Sequence, residues 1–124
     1  MDVPDIVVVR DERLPPGVLA VLVARFFEDM VKLVVDIERE VAAVGGELHA
    51  DAEALLLEEG SRQSDLWGAN YYPGLGEEEC LEYTSLINIR PSQGNRSMVV
   101  EDAAVRDRVR VIAHRLIGSG EPLP

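Results

Sequence analysis

Gly45-Gly46-Glu47-Leu48-His49-Ala50-Asp51-Ala52-Glu53 is the stretch whose reading decides the fold. Taken as a strand, its two-residue period sets Glu47, His49, Asp51 and Glu53 on one face and Leu48, Ala50, Ala52 and Ala54 on the other. Four ionisable groups then share one surface. Taken as a helix, Glu47 and His49 stand about 200° apart and that surface does not exist. The alternation favours the strand, and the strand carries a physical demand. Three carboxylates stacked along it repel, so water, an arginine or a metal ion must offset them.

Before this stretch, the β-branched run Asp5-Ile6-Val7-Val8-Val9-Arg10 reads as a short buried strand, and Leu14-Pro15-Pro16-Gly17 turns the chain. Leu19, Leu22, Phe26, Met30, Leu33, Ile37, Val41 and Val44 then recur at three- and four-residue steps. That spacing predicts a long amphipathic helix over 16–44, closed by Gly45-Gly46 as a left-handed cap. A break near Glu28-Asp29 stays open, because the span is long for a small domain and Val34-Val35 weakens it.

Beyond the stretch, Leu66-Trp67-Gly68-Ala69-Asn70-Tyr71-Tyr72 reads as a strand and Pro73-Gly74-Leu75-Gly76 as a loop. A further strand is expected over about 80–90, with Leu81, Tyr83, Ile87 and Ile89 on its dry face and Glu82, Thr84, Asn88 and Arg90 on its wet face. Asp102 caps a last helix that buries Val105, Val109, Ile112 and Leu116, while His114, half a turn away, is read as solvated. The expected fold is α/β of the α+β kind. It is a single domain over 1–124 in the order β-α-β-β-β-α, a mostly antiparallel sheet with two helices on one face, and loose ends at 1–4 and 119–124.

A chain of 124 residues, 47% apolar and 28% charged, is long enough for one core without disulfides. One cysteine, Cys80, excludes an internal disulfide and suits a reducing, cytoplasmic setting. The acidic N-terminus lacks the basic start of a signal peptide, and no charge-free apolar run is long enough to span a membrane. A net charge of −11 argues against general nucleic-acid binding. The charge is uneven: residues 1–83 carry −13 and residues 84–117 carry +3.

Two clusters carry candidate chemistry. Glu47, His49, Asp51 and Glu53 suit a divalent ion such as Mg²⁺, Mn²⁺ or Zn²⁺, and His49, Asp51 and Glu53 also suit proton transfer. The competing reading is a solvated edge. Asn88, Arg90, Gln93, Asn95 and Arg96, within Arg90-Pro91-Ser92-Gln93-Gly94-Asn95-Arg96-Ser97, suit a cradle for phosphate or carboxylate. Against it stands a loop that hydrogen-bonds itself while Arg90 neutralises the neighbouring carboxylates.

The runs Met30 to Glu38, Gly45 to Glu53, Gly60-Ser61, Leu66-Trp67-Gly68 and Ile87 to Ser97 resemble a small prokaryotic family of unknown function, over about residues 26–117. The resemblance implies a single cytoplasmic domain and brings no activity or cofactor. The functional expectation is therefore a small anionic or phosphorylated ligand, with or without a divalent metal, bound on the acidic face beside the arginine loop. The alternative is a non-catalytic interaction module using the same face, with Leu55 and Leu57, for a homodimer or another partner.

Overall fold

The computed structural model describes residues 2–124. Five strands, β1 (Ile6–Val9), β2 (Val31–Asp36), β3 (Val41–Gly45), β4 (Leu66–Tyr71) and β5 (Leu81–Glu82), form one antiparallel sheet in the order β1-β3-β2-β4-β5. Three helices, α1 (Pro16–Phe26), α2 (His49–Glu58) and α3 (Ala103–Leu116), cover it. The α+β class, the antiparallel sheet and two helices on one face stand as expected. α2 is an addition, and it lies on the face expected to be wet.

Both faces of the sheet are consequently dry over most of their area, with Lys32 and Asn70 as polar positions on the α2 face. Leu33 and Val35 of β2, Ala42 and Val44 of β3, and Trp67, Ala69 and Tyr71 of β4 meet Leu19, Leu22 and Val23 of α1 and Val109, Ile112 and Leu116 of α3. The alternate residues Val34, Val41, Ala43 and Leu66 meet Ala52 and Leu56 of α2, flanked by Ile6, Val8 and Ile87. Strands buried on both sides are apolar at nearly every position and lose their alternation. That loss explains the first correction. Residues 31–45 are not the rear of a long helix but the β2–β3 hairpin, because their apolar residues match a period of 3.6 as readily as one of 2.

The helix stops at Phe26, and Glu28 takes a left-handed φ of 70° that turns the chain into β2. Pro16 opens α1, its missing N–H falling where a helix has no internal partner for one. At the hairpin the buried Asp36 carboxylate accepts from the backbone N–H of Glu38 at 2.9 Å, that of Arg39 at 2.8 Å and the Ser61 hydroxyl at 2.6 Å. α3 starts where expected: Asp102 Oδ1 accepts from Ala104 N at 2.8 Å and Val105 N at 3.4 Å.

The second correction is the deciding stretch itself. Residues 49–58 are helical, so the strand face of Glu47, His49, Asp51 and Glu53 is not formed. Ala50, Ala52, Ala54 and Leu55 to Leu57 are strong helix formers, and Asp51 sits favourably in the first turn. His49, Ala52 and Leu56, at steps of three and four, are the buried stripe. A strand over 80–90 is likewise reduced to Leu81–Glu82, after which the chain winds through single turns at Leu86–Asn88 and Pro91–Gln93.

Candidate functional site

The expected site residues disperse. Glu47 and Asp51 are exposed, Glu53 is half-buried in the field of Arg90, and His49 is buried against the sheet. Among the described residues no three His, Cys, Asp or Glu side chains come together as a metal centre. The metal set of Glu47, His49, Asp51 and Glu53 and the catalytic grouping of His49, Asp51 and Glu53 therefore lose the geometry they required: Glu47 lies before α2, and on the helix Asp51 stands about 200° from both His49 and Glu53.

The second cluster is assembled but committed to its own fold. Asn88 Oδ1 accepts from Gly68 N at 2.9 Å, and Asn88 Nδ2 donates to the carbonyls of Gly68 and Met98, each at 3.0 Å. β5 pairs with β4 only at Asn70 and Tyr71, so Asn88 substitutes for a strand residue beside Gly68. The Arg90 guanidinium donates to the carbonyls of Gln63 and Leu66 and to Gln93 Oε1, and stacks 4.1 Å from the Trp67 ring centroid. Asn95 Nδ2 donates to the carbonyls of Asn88, Ser97 and Val99, while Gln93 Nε2 donates to Ser64 O. Gln93 and Arg96 are exposed, Arg96 with its backbone N–H held by Glu101. These donors staple the loop to β4 and leave little for an anion.

What the fold does build lies between the start of α2 and the segment after β5. Lys32 of β2 and Asn70 of β4 stand opposite one another on the α2 face of the sheet. Next along β4, Gly68 has no side chain because there is no room for one. A Cβ there would lie 2.6 Å from Ser85 Cβ and 3.2 Å from His49 Cδ2. Ser85 and His49 close down onto the strand, and a cleft of about 400 Å³ remains beside them, lined by Lys32, Leu48, His49, Ala50, Asn70 and the segment Thr84–Ile87 with Met98. A larger groove of about 490 Å³ near Glu28, Asp29 and Tyr72 offers carboxylates but no cation.

The cleft has a definite electrostatic character. His49 Nε2 lies 2.8 Å from Ala69 O, and since a carbonyl only accepts, the proton is on Nε2. Burial holds the His49 pKa below its ordinary value; the Ala69 bond opposes this, Lys32 pushes it lower still, and Asn70 opposes. The imidazole is neutral at pH 7. Lys32, the chain's single lysine, has its ammonium over the Phe27 ring, 5.3 Å from the centroid. No carboxylate among the described residues lies within ion-pair distance of it. The start of α2 is capped by no side chain, leaving first-turn N–H groups for water or a ligand. Asn70 Nδ2 donates to Glu82 Oε1 at 2.7 Å. Its Oδ1, although near His49, is met by no donor with hydrogen-bonding geometry.

Of the residues singled out from sequence, His49 alone lines this cleft. Lys32 and Asn70 each carried a signal: a lone lysine within Val31-Lys32-Leu33-Val34-Val35 and an amide inside Gly68-Ala69-Asn70-Tyr71. Elsewhere, Cys80 is buried, its thiol pKa pushed up by burial, and His114, half-buried rather than solvated, lies 3.8 Å from its sulfur.

A family described as "Protein of unknown function (DUF5674)" matches residues 8–116. No curated protein and no solved structure matches the chain. Among the described residues no helix is long and apolar enough to cross a membrane.

Proposed function

The chain belongs to this family of unknown function, and we propose that it binds a small anionic ligand in the cleft between the start of α2 and Thr84–Ile87. The observation that carries the reading is Lys32, an ammonium without a carboxylate partner beside the uncapped first turn of α2, in a chain of net charge −11. A helix start and a cation together favour a carboxylate or phosphate. A volume of about 400 Å³ suits a small molecule. The expected anionic ligand is thus kept, and its place moves from Arg90 and the acidic stretch to Lys32 and the helix terminus. The lone buried thiol, Cys80, fits a reducing cytoplasmic setting.

Titration calorimetry with inorganic phosphate and with acetate, on the protein and on Lys32→Met, tests the reading. At least one anion binds the protein, and the variant binds it tenfold or more weakly. Equal binding by both proteins, or none by either, overturns it.

A second reading is the interaction module. Leu86, 72% exposed, lies with exposed Leu48 and Met98 around the cleft, and an apolar rim of this kind suits a second copy or another protein. Light scattering on the protein and on Leu86→Glu distinguishes a dimer that the charge disrupts from a monomer in both.

A further inference from the structure

We propose that the anion is the carboxylate of a free α-amino acid with an apolar side chain, an inference that rests on the anionic-ligand reading above. Asn70 is 8% exposed, and its Oδ1 has no donor. The amide cannot turn round to cure this, because its Nδ2 is committed to the Glu82 carboxylate, which only accepts. A buried acceptor without a donor is costly. A ligand that brings an N–H repairs it.

Lys32, directly across the strand pair, calls for negative charge within a few ångströms of that N–H. Glu82, behind Asn70, favours a positive donor over a neutral one. A carboxylate and an ammonium on adjacent atoms satisfy both positions, and an α-amino acid has that spacing. The third requirement comes from Leu48, Leu86, Ile87 and Met98, which give the cleft an apolar wall. They favour an aliphatic side chain over a polar one. Because Oδ1 is occluded, its donor arrives with a small side-chain rotation at the cleft floor, driven by the hydrogen bond gained.

Calorimetry with four probes separates the three requirements. L-leucine carries all of them, 4-methylpentanoate lacks the ammonium, L-leucinamide lacks the carboxylate, and glycine lacks the side chain. L-leucine binds, and each of the other three binds at least tenfold more weakly. Asn70→Ala reduces the preference for L-leucine over 4-methylpentanoate to less than threefold. If that variant fails to fold, the four-probe series on the natural protein decides alone. Should 4-methylpentanoate match L-leucine while L-leucinamide does not bind, the amino-acid inference is overturned and the anionic-ligand reading survives. If L-leucinamide binds as tightly as L-leucine, the amino-acid inference is overturned and the phosphate and acetate titrations decide the anionic-ligand reading; if no probe binds and phosphate and acetate also fail, both are overturned. Binding of phosphate or acetate with no binding of L-leucine overturns the amino-acid inference alone.

Discussion

Asn88 holds both backbone polar groups of Gly68, accepting from its N–H at 2.9 Å and donating to its carbonyl at 3.0 Å. One side chain thereby replaces the ladder partner that β5 is too short to supply. Asn88→Ala leaves both groups buried without partners, and the expected destabilisation is on the order of 3 kcal/mol. Asn88→Asp fails to rescue, because a carboxylate has no N–H for the carbonyls of Gly68 and Met98. Urea denaturation of the three proteins checks both statements.

Gly68→Ala drives a methyl to 2.6 Å from Ser85 Cβ. Ser85 is itself tied down, its Oγ accepting from Ile87 N at 3.2 Å, so the cost should be about 1–3 kcal/mol. Ser85→Ala keeps the colliding Cβ and gives no relief, whereas Ser85→Gly removes it. A double-mutant cycle should return a coupling of about 1 kcal/mol for Gly68→Ala with Ser85→Gly.

Leu56 and Leu57 discriminate the helix from the strand in solution. Leu56 is fully buried and Leu57 is 39% exposed. Leu56→Ala should cost about 2–5 kcal/mol and Leu57→Ala under about 1 kcal/mol. A strand with Leu55 and Leu57 on a covered face requires the opposite order, so thermal denaturation of the two variants separates the cases.

His49 makes stability depend on pH. Its folded pKa lies below the ordinary value of 6.5, so below that value the unfolded chain binds a proton that the folded chain does not. Stability from this group is therefore full above the unfolded pKa and is lost as pH falls towards the folded one. His114, whose pKa burial also lowers, contributes in the same direction. His49→Gln should flatten the fall in melting temperature between about pH 7 and 5, and His114→Gln should remove the remaining histidine part of it.

Sequence by itself determined the pieces whose signals are local. The β-branched run at Ile6–Val9, the strand at Leu66–Tyr71 and the Asp102 cap of α3 each declare themselves within a few residues. The α+β class followed from them. Residues 31–45 did not declare themselves, because Leu33 to Val35 and Val41 to Val44 are buried on both faces as unbroken apolar runs that mark no period. Residues 49–58 did not either. Leu48, an apolar N-cap, gives no start signal, and the alternating His49, Asp51 and Glu53 imitate a half-wet strand, while the burial of His49, Ala52 and Leu56 depends on the distant Val34, Ala43 and Leu66.

The candidate site was decided almost wholly by tertiary structure. The donors of Arg90, Gln93 and Asn95 do satisfy carbonyl acceptors, but those acceptors belong in part to Gln63, Ser64 and Leu66. Lys32, His49 and Asn70 are separated by 17 and 21 positions in the chain and meet because β2 pairs with β4 while α2 crosses the same face. A charge and an orphaned amide become a candidate site only when burial removes the water that would otherwise satisfy them.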